Sequence, residues 1–228
     1  MNKLLKDLEE ESRDILKKYA NGKIAVLFSM GKDSTVMLQI IKKTYGKIPF
    51  DVVVLDNGLE FKEQYQFLND KEKELGFKAI VKKTPPIGKL VKGSGVSCCG
   101  INKANANKEL EKQYDKLIVA IRRDENPARA NEKYVTEKRI HPILDWSELD
   151  IWNYIKENKI KVSPLYFAKN GERYRSLGCQ NCSHPIKSNA DTVDKIIKEI
   201  QESTETERSG RDKEKEQIMK KLRDLGYM

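Results

Sequence analysis

Residues 23–35 read KIAVLFSMGKDST, and this stretch decides how the chain is understood. The segment from Lys23 to Phe28 is apolar, too short for a helix and rich in strand formers, so it reads as a buried strand. Residues 34–45 follow as a helix closed by Gly46. A strand that runs through a tight turn into a helix gathers free backbone N–H groups and the positive helix end at one point. Gly31 allows an anion to approach the backbone closely, Ser29, Ser34 and Thr35 add hydroxyl donors, and Lys32 adds charge. An ordinary strand-to-helix loop also favours Gly and Ser. A Lys-Asp pair inside so tight a turn is less common, and it points to a phosphate cradle built from Ser29, Gly31, Lys32, Asp33 and Ser34.

The same alternation continues outward. Residues 3–19 have the apolar spacing of an amphipathic helix, ended by Asn21-Gly22. Strands are expected at 50–55, 77–81 and 116–121, with helices at 60–75 and 102–113. Pro85-Pro86 and nearby glycines make 84–100 a loop. Apolar strands alternating with helices imply parallel βαβ units covered on both faces, a doubly wound α/β sheet. Beyond residue 121 the pattern changes. The segment 122–133 is arginine-rich, 146–158 is a helix capped by Asp145 or Ser147, and 171–183 is a loop. Helices are expected at 190–202 and 212–225, and 203–215 is charged enough to order only on binding. The expected division is a core domain over 1–185 and a helical tail over 186–228 that packs on the site or closes over it.

The 228 residues carry 44 Lys+Arg against 35 Asp+Glu, a formal net charge of +9. The surplus suits an anionic partner such as a nucleotide, an oxyanion or a nucleic acid, although lysine-rich surfaces also serve solubility alone. No apolar run approaches the ~18 residues of a membrane span. The charged N-terminus is unlike a secretory signal, so a cytoplasmic location is expected. The four cysteines fall into two pairs, Cys98-Cys99 and Cys179-x-x-Cys182, which in such a chain read as metal ligands rather than disulfides. A four-thiolate zinc site and unrelated buried thiols are the alternatives.

Further candidates sit where such sheets bind ligands. Asp56 ends the second strand at its C-terminal edge and would hold Mg²⁺ or a ribose, with Glu60 a weaker second; helix capping is the other role open to Asp56. Arg122, Arg123 and Arg129 follow the fourth strand, where guanidinium forks suit an oxyanion and Asp124 and Glu125 would orient them. A solvated charge run is the plain alternative. His141 and His184 read as structural or loop residues.

The loop SMGKDS resembles the PP-loop, S-G-G-K-D-S, of the ATP pyrophosphatase superfamily, with Met30 in place of the first glycine. The succession FSMGKDSTVML, VVLDNGLEF, RRDENPARA, DWSELDIWNYI, YRSLGC and STETERSGR covers nearly the whole chain. It resembles the catalytic subunit of heterodimeric sulfate adenylyltransferase and the related adenylylsulfate (APS) and phosphoadenylylsulfate (PAPS) reductases. The resemblance implies a Rossmann-like adenine nucleotide α-hydrolase fold and use of ATP with Mg²⁺. It implies attack at the α-phosphorus with loss of pyrophosphate, with Lys32, Asp33, Arg122 and Arg123 as catalytic residues. Arg129, Arg173, Arg175, Arg208 and Arg211 would complete the oxyanion site, the last two as a lid. The cysteine spacing is similar to that of the bacterial APS reductases and implies a 4Fe–4S cluster on Cys98, Cys99, Cys179 and Cys182, offset by Lys103, Arg173 and Arg175. Implied partners are a GTPase subunit or a cysteine desulfurase, with a homo-oligomer as a further expectation. The acceptor is expected to be sulfate or a sulfur-insertion target such as DNA. The alternative activity is APS or PAPS reduction with an external thiol, because no cysteine follows Cys182 to act as nucleophile.

Overall fold

The computed structural model describes residues 3–84 and 98–210; the side chains of 3, 98–102, 128, 209 and 210 are not among them. Helix α1 (Lys3–Tyr19) precedes β1 (Ile24–Leu27), α2 (Lys32–Tyr45), β2 (Asp51–Asp56), α3 (Lys62–Leu75) and β3 (Ala79–Lys83). Then come α4 (Cys98–Gln113), β4 (Lys116–Val119), β5 (Arg139–Ile140) and α5 (Glu148–Glu157). A short antiparallel pair, β6 (Glu172–Arg173) and β7 (Ile186–Lys187), leads to α6 (Val193–Glu202) and a 3₁₀ turn at Glu207–Gly210.

The main sheet has five strands in the order β3-β2-β1-β4-β5, all parallel. This is the expected α/β architecture. The chain runs from β1 outward through β2 to β3, then returns to place β4 on the other side of β1. Strand order therefore reverses between β1 and β4, and sheets of this kind bind ligands at that crevice, beyond the C-terminal strand ends.

The strands are continuous apolar runs because both faces are covered. Side chains alternate: Ile24, Val26, Val52, Val54 and Ile118 join a large core with α1, α2, α3, α5 and α6. Ala25, Val53 and Leu117 face Leu110 and Tyr114 at the end of α4. Trp146 and Trp152 are fully buried in the larger cluster, and Trp146 Nε1 donates to Ser12 Oγ at 3.1 Å, fixing α1 against the segment before α5.

Several expectations shift. Helix α4 starts at Cys98, earlier than the expected 102. Strand β6 lies in the stretch 171–183 read as loop, and β5 and β7, two residues each, are too short to leave a pattern. Of the two candidate caps for α5, Ser147 is the one used, in a reciprocal box with Asp150. The expected helix over 212–225, Arg211 and most of the loop over 84–100 lie outside the described residues. The segment expected to order only on binding is described as far as Gly210, with residues 204–206 exposed and Glu207 buried. Among the described residues no helix is long and apolar enough to cross a membrane.

Candidate functional site

The turn between β1 and α2 is built for close approach. Met30 adopts φ 61°, the left-handed region that glycine enters without penalty, while its side chain is buried in the core. This is the position where the PP-loop pattern carries glycine. Gly31 has no positive φ; it is needed for space, since a Cβ there would come within 3.3 Å of Ser29 Oγ and Tyr166 Oη. Gly31 O accepts from Ser34 Oγ at 3.0 Å and Thr35 Oγ1 at 2.8 Å, and Ser29 Oγ lies 3.1 Å from Ser34 Oγ. The hydroxyls expected to face an anion thus brace the turn. The Lys32 N–H donates to Tyr166 Oη at 2.9 Å.

Lys32 opens α2 with its side chain buried, and Nζ contacts Asp33 at 3.2 Å and Glu207. From the end of β4, across the crevice, comes Arg122, fully buried. Its Nε lies 2.5 Å from Asp33, Nη1 lies 3.2 Å from Asp124, and Nη2 bonds Glu207. Two cations and two carboxylates therefore meet at the point of strand reversal, where a buried charge persists only if paired. Burial alone would push the Lys32 ammonium down, but Asp33 and Glu207 outweigh it and hold it above the ordinary lysine value. Burial would raise the Asp33 carboxyl, but Arg122 and Lys32 hold it well below the usual carboxylate range. At Glu207 burial wins, and its carboxyl sits above the ordinary value despite Lys32 and Arg122.

A second layer surrounds this quartet. Glu125 bonds Arg129 and accepts from Arg208 Nη1 at 2.7 Å. Asp124 accepts from the Glu148 N–H at 2.8 Å, and Glu148 pairs with Arg175 at 2.9 Å. The predicted arginines thus divide. Arg122 lies in the quartet, Arg129 and Arg208 flank it through Glu125, and Arg175 is linked through Glu148. Arg123 turns to the other side, as neighbours on extended backbone do, and bonds Asp145 and the Glu132 carbonyl. Arg173 is fully buried against Glu199, at 2.5 Å, and Ser188. Neither the role of Glu207 nor that of Tyr166 was legible from sequence. Glu207 sits in a charged run without apolar periodicity. The signals available were its place in the segment STETERSGR, which carries part of the family resemblance, and the need of two buried cations for carboxylates.

Asp56 ends β2 as expected, with Oδ1 accepting from the Gly58 N–H at 2.8 Å and from Tyr65 Oη at 2.6 Å. It closes a local turn rather than capping α3, whose N-cap is Phe61. Glu60 follows, buried, with its carboxyl raised by that burial and Lys103 at 3.4 Å. The cysteine turn docks on this loop: the Gln180 N–H donates to Leu59 O at 2.8 Å and Nε2 to Glu60 O at 3.0 Å. Cys179 is buried, Cys182 half-buried, and their sulfurs lie 3.5 Å apart, too far for a disulfide. Two converging thiols fit one edge of a metal site. Cys98 and Cys99 open α4, whose Lys103 reaches back to Glu60, but their side chains are outside the described residues. Among the described residues no group of three or more metal-binding side chains is found. His184 is exposed, and His141 is buried with Nδ1 2.8 Å from the Lys133 carbonyl, consistent with structural roles.

Residues 23–185 match the phosphoadenosine phosphosulfate reductase domain family. The chain belongs to this family. Sulfate adenylyltransferase subunit 2 of Serratia proteamaculans (strain 568) is 30% identical over 293 aligned positions, covering 98% of this chain and 97% of the relative. The same subunit of Sulfurovum sp. (strain NBC37-1) is 30% identical with equal coverage. The alignments exceed the length of this chain, so these family members carry segments it lacks.

Solved structures agree on the fold. Candida glabrata FMN adenylyltransferase in complex with ATP superposes with a TM-score of 0.59 at 16% identity, covering 96% of this chain and 81% of that one. The Candida auris PAPS reductase phosphate complex gives 0.57 at 15% identity, covering 79% and 96%. The U34-tRNA thiolase NcsA of Methanococcus maripaludis with its 4Fe–4S cluster gives 0.55 at 17% identity, covering 99% and 80%.

Proposed function

We propose that this chain is an ATP-dependent adenylyltransferase of sulfur metabolism that joins the AMP portion of ATP to sulfate and releases pyrophosphate. The observation that carries the reading is the convergence of Lys32 and Arg122 at the crevice between β1 and β4, beside a turn in which a Cβ on Gly31 would press on Ser29 and Tyr166 at 3.3 Å. The similarity to sulfate adenylyltransferase subunit 2 along almost the whole chain supports sulfate as the acceptor.

In this reading Lys32 neutralises the β,γ-phosphates, and Arg122 presents a fork to the α-phosphoryl group or to sulfate. A sulfate oxygen forms a bond to the α-phosphorus while the bond from that phosphorus to the pyrophosphate oxygen breaks, and the electron pair leaves with pyrophosphate. No protein nucleophile takes part; the site works by positioning and by charge fixed in advance. Asp33 fixes both cations, Tyr166 fixes the turn, and Arg129 and Arg208 extend the positive rim. Asp56 offers a carboxylate at a strand end for magnesium carried with ATP, whose chemistry there is to neutralise phosphate charge. Cys179 and Cys182, with Cys98 and Cys99, would hold a 4Fe–4S cluster, a group that supplies structural rigidity or electron transfer when bound. The name subunit 2 supports a heteromeric enzyme, with a GTPase as its other subunit. The core over 1–185 carries this chemistry, and the tail from residue 186 contributes Glu207 to it.

The test is exchange of labelled pyrophosphate into ATP by anaerobically purified protein. Exchange should depend on sulfate and fall by roughly 10²-fold in Lys32→Ala, as loss of a fixed charge typically causes. Full exchange in that variant, or none at any sulfate concentration, would refute the reading.

A further inference from the structure

We propose that residues 203–208 form an internal strap whose Glu207 carboxylate holds the two cations of the nucleotide site in the free protein, and that pyrophosphate or the phosphates of ATP must displace it. This rests on the assignment of Lys32 and Arg122 to phosphate binding.

The geometry is that of a bound anion. One oxygen of Glu207 meets Lys32 Nζ and the other meets Arg122 Nη2. A carboxylate with its two oxygens on two buried cations occupies them as one face of a phosphate would. Glu207 is itself buried, and Asp33 shares both cations, so the quartet is neutral. A phosphate chain entering beside it would meet a buried anion already seated on the same two cations. The carboxylate and the phosphates therefore compete for the same two cations.

The strap is also built to leave. Its residues, Ser203, Thr204, Glu205, Thr206, Glu207 and Arg208, include no apolar side chain, so no hydrophobic burial retains it. Polar contacts pin it on both sides of Glu207. Arg175 Nη1 donates to Ser203 Oγ at 3.3 Å, and Arg208 Nη1 donates to Glu125 at 2.7 Å. Release of Glu207 would also loosen Arg208 from Glu125 and expose the strap. Closed and open positions of the strap thus form a two-state element biased by phosphate, and the closed fraction lowers apparent affinity in proportion.

Two measurements with inorganic pyrophosphate test this. In titration calorimetry, Glu207→Gln should bind pyrophosphate at least about five-fold more tightly than the parent protein, because the competitor has lost its charge. In limited trypsinolysis of the parent protein, followed by intact mass, saturating pyrophosphate should speed cleavage after Arg208. Equal or weaker binding by Glu207→Gln, or protection of Arg208 by pyrophosphate, would overturn the strap while leaving the phosphate site in place. Absence of pyrophosphate binding to the parent protein would instead remove the phosphate site, and the strap with it. The trypsin readout needs no substitution, so a poorly folded variant cannot hide the answer.

Discussion

Arg122→Met asks whether the buried charges act as a unit. The side chain is fully buried and engages Asp33, Asp124 and Glu207 together. Methionine keeps much of the volume and removes the charge. Asp124 is 52% exposed, so water replaces that contact at little cost. Asp33 and Glu207 are 19% and 4% exposed, and only Lys32 remains to neutralise them. Stranding a buried charge costs about 3–5 kcal/mol, and the surviving Lys32 places the expectation at the lower end, about 3 kcal/mol. For a chain of this size that is roughly 6–12 °C in Tm. The sign with pH differs between the two proteins. In the parent, Asp33 is held low, so its contribution is present above the ordinary carboxylate pKa and lost only as pH falls through the lowered value. In the variant, Glu207, already raised by burial, rises further, and its cost is present above that pKa and relieved as pH falls through it. Urea denaturation should therefore show a larger gap at about pH 8 than at about pH 5.5. Arg122→Lys should recover part of the loss, restoring charge without the fork. A gap below about 1 kcal/mol, or one independent of pH, would refute the reasoning.

Other outcomes follow from single residues. Met30→Ala should be less stable than Met30→Gly by about 1 kcal/mol in urea denaturation, because both lose the buried side chain and only glycine relieves the left-handed backbone; the reverse order would contradict the role given to φ. Tyr166, buried and with its hydroxyl pushed up to about 12 by that burial, stays neutral near neutral pH and accepts from Lys32 N–H. Tyr166→Phe should thus cost about 1–2 kcal/mol and lower pyrophosphate release from ATP, and unchanged stability and rate would count against it. Anaerobic protein should contain about four irons per chain, lost in Cys179→Ser. Stoichiometric zinc without iron would show a four-thiolate zinc site instead.

The fold was legible where burial is complete. The runs at 23–28, 50–55 and 116–121 are apolar on both faces because helices cover both sides of β1, β2 and β4. By contrast β5, only Arg139-Ile140, is strand solely because β4 offers a free edge beside it, which no local pattern encodes. The start of α4 was hidden because Cys98-Cys99-Gly100 looks like loop. At the site, the sequence puts Lys32, Asp33 and Arg122 at strand ends, and the structure brings the three side chains together. Arg123 was not separable from Arg122, since adjacent residues share composition but face opposite ways. Glu207 reaches the site from a segment that reads as ordering only on binding, and its burial is decided by cations 175 and 85 residues away in sequence.

The most direct test follows the atoms. Protein, ATP, magnesium and oxygen-18-labelled sulfate are incubated with inorganic pyrophosphatase to draw the reaction forward, and the nucleotide product is weighed by mass spectrometry. Adenylyl transfer to sulfate predicts APS carrying every sulfate oxygen, with ATP otherwise converted only to pyrophosphate-derived phosphate. ADP as the nucleotide product, or AMP without a sulfur-bearing adduct, would contradict attack by sulfate on the α-phosphorus.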